Sequence, residues 1–162
     1  MSKVLIIMGS GSDLPYCEEI SIALDELKLP HSLRVASAHK TPEEALKIVR
    51  EAADKFKVII TVAGLSDSLS GFAAANTTLP VIAAPPLSKN FSGMDILSSL
   101  SMPRGVAPMT VLGASQAALA AAKIIALSDK NIEITLEKSL ETSALRVRDM
   151  DEKVRDGKRK KT

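Results

Sequence analysis

Aromatic side chains are nearly missing from this sequence, which has no tryptophan, one tyrosine and three phenylalanines among 162 residues. That scarcity argues against a nucleic-acid binder that stacks bases on aromatic platforms. It argues equally against a carrier that sandwiches a flat ring. Cysteine occurs once, as Cys17, so no internal disulfide can form, which suits a reducing compartment. No apolar run reaches the roughly 18 residues of a membrane span. Met1-Ser2-Lys3-Val4 leads straight into a strand-like stretch, without a signal-peptide cleavage site. The expectation is a soluble, cytoplasmic protein with no membrane partner.

A strong charge of one sign is also lacking. The net charge is +2, but the last five residues hold Lys158, Arg159, Lys160 and Lys161 and no acid. Without those four, 17 basic side chains face 19 acidic ones, so the body is slightly acidic. No nucleic-acid partner is expected, and residues 158–162 are expected to be a solvated, disordered basic tail. Hydrophobic residues at 46% and charged residues at 25% are ordinary for a globular domain. There is no internal repeat and no linker, so residues 1–157 are read as a single domain.

What is present is an alternation of strand and helix signals. Val4 to Met8 is a short apolar run stopped by Gly9-Ser10-Gly11-Ser12. Ile20, Ala23, Leu24 and Leu27 then form one helical face, ended by Leu29-Pro30. Ser32 to Ala36 reads as a second strand. Thr41-Pro42-Glu43-Glu44 has the form of a capped helix start, with Ala45, Ile48, Val49 and Ala52 as its buried face. Lys57 to Val62 reads as a third strand buried on both sides, Leu79 to Ala84 as a fourth closed by Pro85-Pro86, and Val106 to Leu112 as a fifth whose Pro108 suggests an edge or an irregular start. Residues 68–77 and 93–100 look helical. Ala114 to Leu127 is alanine-rich, which permits close helix packing. Ile132, Leu136, Leu140 and Val147 mark a long amphipathic helix to about residue 155. Its apolar stripe must be buried, either on its own domain or on a neighbouring subunit.

Repeated βα units in a short chain imply an α/β fold: a flavodoxin-like doubly wound parallel sheet in three α/β/α layers, with the long C-terminal helix as an extra. The ligand then belongs at the carboxyl ends of the strands, where three polar loops meet. Gly9-Ser10-Gly11-Ser12-Asp13 has small residues, hydroxyls and a following helix N-terminus, as a phosphate cradle would. Ordinary turn chemistry also fits, and Asp13 could bond a ribose hydroxyl or cap the helix. His39, in Ser37-Ala38-His39-Lys40, is one of two histidines; it is either structural or a general acid/base. Lys40 suits a phosphate or is a solvated charge, whereas His31 sits at the opposite end of its strand and is read as structural. Gly64-Leu65-Ser66-Asp67-Ser68-Leu69-Ser70-Gly71 is hydroxyl-rich but is not the G-x-S-x-G elbow of a serine hydrolase. No set of histidines and cysteines has zinc-site spacing.

Three segments, Met8-Gly9-Ser10-Gly11-Ser12-Asp13, Ser37-Ala38-His39-Lys40-Thr41 and Ser101-Met102-Pro103-Arg104-Gly105, resemble the signatures of the PurE family in order and spacing. The resemblance spans roughly residues 3–128, and weakly the terminal helix. It implies one of two reactions that make 4-carboxyaminoimidazole ribonucleotide for purine biosynthesis. Mutases move a carboxylate from the exocyclic nitrogen of N5-carboxyaminoimidazole ribonucleotide to ring carbon C4. Carboxylases add CO2 directly to aminoimidazole ribonucleotide. Neither group uses metal, ATP or biotin, so no cofactor is expected.

Mutases usually have Arg after the loop histidine and a Gly-Gly-Ala-Ala-His-Leu-Pro-Gly-like third loop. Lys40, the absence of a second loop histidine, Pro85-Pro86 and Asp95-Ile96-Leu97-Ser98-Ser99-Leu100 resemble the carboxylase group instead. The chain departs from that group at Leu65 and Asp67, where Arg and Asn are frequent. By matching position, the resemblance implies that Ser10, Asp13 and Lys40 hold the phosphoribosyl part and that Ser37 lines the pocket. It implies that Gly64, Leu65 and Ser66 face the reacting carboxylate and that His39 moves the proton. It also implies a homo-octamer, which would bury the terminal helix. A flavodoxin-like binding or signalling module is the competing class; the sequence lacks both a flavin's aromatic sandwich and the acidic pair of a receiver domain.

Overall fold

Side-chain alternation along the strands decides which face of the sheet each helix covers. A computed structural model describes residues 3–159. In β1 (Val4–Met8), Val4, Ile6 and Met8 join one core cluster and Leu5 and Ile7 the other. In β3 (Val58–Val62), Val58, Ile60 and Val62 share the first cluster while Ile59 joins the second. That is the two-residue period of a strand buried on both sides. Helices α1 (Leu14–Glu26) and α4 (Ala114–Ala126) cover the first face; α2 (Pro42–Ala52) and α3 (Leu69–Ala75) cover the second.

The five strands are all parallel, in the order β2-β1-β3-β4-β5, with β2 spanning His31–Val35, β4 Val81–Ala83 and β5 Met109–Thr110. Val4 lies opposite His31 on one side and Val58 on the other. This is the flavodoxin-like doubly wound order, whose direction reverses between β1 and β3. The fold class expected from the sequence is the one observed.

Local details differ where tertiary contacts override pattern. The fifth strand is two residues long and forms the sheet edge, consistent with Pro108 immediately before it. Residues 93–100 do not form an α-helix: the segment Asn90–Ser99 winds as 3₁₀ turns broken by left-handed Phe91, Ser92 and Gly93. The terminal helix α5 (Lys130–Arg159) has 30 residues, about 45 Å at 1.5 Å per residue. Ile132 and Leu136 pack into the first core with the alanine face of α4. Beyond them Leu140, Leu145, Val147, Met150 and Val154 are all exposed. The start of this stripe is therefore covered by its own domain, and the remainder is exposed. Of the basic tail, residues 160–162 lie outside the described residues, and α5 continues to Arg159. No helix among the described residues is long and apolar enough to cross a membrane.

Candidate active site

The loops after β1, β2 and β3 meet at the switch point of the sheet and enclose a cleft of about 450 Å³. Ser10, Asp13, Ser37, His39, Lys40, Gly64, Leu65 and Ser66 all line it. Gly9 and Ser12 of the first loop and Ser68 of the third line it too.

The first loop is held to β3 by the Gly9 N–H donating to Val62 O at 2.9 Å. Residues Gly11–Asp13 make one 3₁₀ turn that runs directly into α1. Ser10 Oγ accepts from the Ser12 hydroxyl at 2.9 Å and from the Ser12 N–H at 3.3 Å. Asp13 does not cap α1 with its side chain. Burial raises its carboxyl above the usual range, and a backbone hydrogen bond at Ser10 pulls the other way.

The second loop is closed by Thr41, whose expected role as a helix cap is not the one observed. Thr41 Oγ1 accepts the Ser37 N–H at 3.0 Å and donates to Ser37 O at 3.3 Å, so it makes no cap bond to α2. Ser37 Oγ in turn accepts the Lys40 N–H at 3.2 Å. The turn is tied to itself at both ends, with exposed His39 and Lys40 at its apex. His31 lies at the far end of β2 with Nδ1 at 3.1 Å from Leu29 O, away from the cleft.

The third loop is anchored from outside. Leu65 adopts a left-handed backbone, φ 61°, which costs a branched residue roughly 1–2 kcal/mol. Its N–H donates to Asp95 Oδ2 at 3.2 Å, and its carbonyl accepts from Ser98 Oγ at 3.2 Å. These bonds to the 3₁₀ segment hold the strained turn. Just beyond, α3 has Gly71 where a Cβ would come within 2.9 Å of Met102 Sδ, so Met102 packs directly on that helix. Among the described residues no group of three His, Cys, Asp or Glu is placed to hold a metal ion.

The AIR carboxylase family model matches residues 3–145, most of the chain. The chain belongs to the AIR carboxylase family. Among its AIR carboxylase relatives, a phosphoribosylaminoimidazole carboxylase of Archaeoglobus fulgidus is 48% identical over 153 residues, covering 94% of this chain and 85% of that protein. One of Treponema denticola is 40% identical, covering 94% and 97%. The human bifunctional phosphoribosylaminoimidazole carboxylase/succinocarboxamide synthetase is 38% identical, and the chain matches 37% of its length. The crystal structure of Treponema denticola PurE superposes with a TM-score of 0.91 over 94% of this chain and 98% of that one.

Two residues of this family member make contacts that the sequence pattern does not reveal. Asp67 is 6% exposed, and its carboxylate accepts the Ser70 N–H at 3.0 Å and the Ser70 and Ser99 hydroxyls at 2.7 Å each. It caps α3 and ties that helix to the 3₁₀ segment. Ser68 Oγ lies 3.0 Å from His39 Nε2. The only signal in the sequence was the hydroxyl content of the loop.

Proposed function

We propose that this protein is a phosphoribosylaminoimidazole carboxylase, joining CO2 to C4 of 5-aminoimidazole ribonucleotide to give 4-carboxyaminoimidazole ribonucleotide. One observation carries the proposal. A hydroxyl-lined helix start, a lysine and a single rim histidine share one cleft in a chain whose relatives are named for that reaction. In this reading Ser10, the start of α1 and Lys40 receive the phosphate. Asp13 takes ribose hydroxyls, which suit an acceptor better than a phosphate would. Ser37 shapes the turn that presents His39 and Lys40, and Gly64, Leu65 and Ser66 face the carboxylate.

The chemistry needs little machinery. The aminoimidazole ring is electron-rich, so C4 supplies the electron pair for the new bond to CO2 once both are held together. One C–O π pair moves onto oxygen, making the carboxylate, and C4 becomes tetrahedral with its hydrogen still attached. A base takes that proton, and the C–H electrons restore the aromatic ring. An imidazole can both accept and return a proton, which suits His39, the histidine that lines the cleft, to the task. In reverse, His39 protonates C4 and CO2 leaves.

We also infer a homo-octamer from the family resemblance. Leu87 and Phe91, 90% and 82% exposed, and the bare stripe of α5 supply apolar surface that an assembly would bury. Sedimentation of the intact chain tests this, and a monomer at micromolar concentration would contradict it.

The test of function is incorporation of labelled bicarbonate into product from 5-aminoimidazole ribonucleotide. His39→Asn should still bind the nucleotide but lose about 10²–10⁴-fold in turnover. Near-normal turnover by that variant would remove His39 from the mechanism.

A further inference from the structure

Leu65 is the one cleft residue with a left-handed backbone, at φ 61°. A leucine does not hold that conformation unaided, because its Cβ crowds the following carbonyl. Burial of its side chain does not supply the restraint, since Leu65 is 60% exposed. The restraint comes from the 3₁₀ segment, through Ser98 and Asp95. Ser98 Oγ has a single proton, and its 2.8 Å approach to Asp95 O competes with its 3.2 Å approach to Leu65 O. The Asp95 carboxylate has no such competition. Its Oδ2 accepts the Leu65 N–H at 3.2 Å, the only hydrogen bond this carboxylate makes among the described residues. Asp95 forms no salt bridge among them and does not line the cleft.

A hydrogen bond to a charged acceptor is strong enough to offset the strain of one left-handed residue. Without it, Leu65 falls back to negative φ. That rotation re-aims the peptide groups joining it to Gly64 and Ser66, both of which line the cleft. We propose that Asp95 is a positioning residue for the CO2 end of the cleft: its carboxylate pins Leu65 left-handed and thereby fixes the wall at Gly64 and Ser66. The effect on CO2 rests on the carboxylase reading, in which this loop faces the carboxylate; the pin itself does not.

The experiment compares wild type, Asp95→Ala and Asp95→Asn, with Leu65→Gly as a second background, by steady-state kinetics and by hydrogen exchange of the Leu65 amide. Asp95→Ala should raise the KM for CO2 roughly tenfold, the equivalent of one charge-assisted hydrogen bond, with nucleotide affinity unchanged. Asp95→Asn, whose amide oxygen still accepts, should stay within about threefold of wild type. In the Leu65→Gly background, Asp95→Ala should cost no more than about twofold, because glycine takes positive φ about as readily as negative. The Leu65 amide should exchange about tenfold more slowly in wild type than in Asp95→Ala. A wild-type Leu65 amide that exchanges as fast as an unprotected peptide would overturn the proposal without any variant. So would an equal rise in KM for CO2 and for the nucleotide, or an Asp95→Ala penalty undiminished in Leu65→Gly. If wild type turns over no aminoimidazole ribonucleotide, the carboxylase reading and the CO2 effect fall together, while the amide exchange still decides the pin.

Discussion

Replacing Asp67 by alanine should be among the most damaging single changes in the site region, although Asp67 reaches no substrate in this account. The substitution removes the α3 cap, ordinarily worth about 1 kcal/mol. It also removes the acceptor for two buried hydroxyls, Ser70 and Ser99, which are 0% and 2% exposed. Each orphaned hydroxyl costs about 1 kcal/mol or more, since rotation recovers only part of the loss. The sum is about 3 kcal/mol. At roughly 2–4 °C per kcal/mol for a domain of this size, the melting midpoint should drop about 6–12 °C. Asp67→Asn keeps one acceptor for the Ser70 N–H, and the hydroxyls can turn to accept from its amide, so about 1 kcal/mol is expected. Thermal and urea unfolding at one fixed protein concentration measure both, because assembly would otherwise shift the midpoint. An Asp67→Ala protein within about 0.5 kcal/mol of wild type would refute the network as the anchor of the third loop.

Three other outcomes are open to test. Lys40→Ala should weaken nucleotide affinity roughly tenfold with less effect on turnover, and the wild-type affinity should fall with added salt; unchanged affinity would take Lys40 out of the phosphate site. Asp129, held below the usual carboxylate range chiefly by its hydrogen bond from Lys3, stabilises the fold above about pH 4 and loses that effect as pH falls through its lowered folded value. Asp129→Asn should therefore melt below wild type at neutral pH, and the gap should close as pH falls through that lowered folded value; a gap that does not change with pH would contradict the ion pair's role. Burial pushes the Cys17 thiol up to about 12 and leaves it 0% exposed, so a disulfide reagent should label native protein only slowly and denatured protein at once. Rapid labelling of the native state would show the α1–α4 interface opens.

The parts of the fold written in short periods were legible in the sequence. The apolar runs of β1 and β3 and the Ala45, Ile48, Val49 and Ala52 face depend on local spacing, and all are buried as read. Parallel pairing then left few places for the polar loops, which is why the eight expected site residues line one cleft. Most of the features that were missed depend on chain segments meeting across about 30 positions, the Thr41 turn being a local exception. Leu65 is held left-handed by Asp95 and Ser98, and Asp67 is satisfied by Ser99. Thr41 turned its hydroxyl to Ser37 although its pattern promised a capping box. The long helix was legible as a helix, but how far its own domain covers it depends on α4, not on its stripe.

The central claim is that CO2, not a preformed N5-carboxylate, is the one-carbon donor. Offering the purified protein 5-aminoimidazole ribonucleotide with bicarbonate, and separately the N5-carboxylated ribonucleotide, tests it most directly. The account predicts 4-carboxyaminoimidazole ribonucleotide from the first mixture, at a rate that rises with dissolved CO2. Product from the N5-carboxylated ribonucleotide alone, with none from the first mixture, would contradict it and make the protein a mutase.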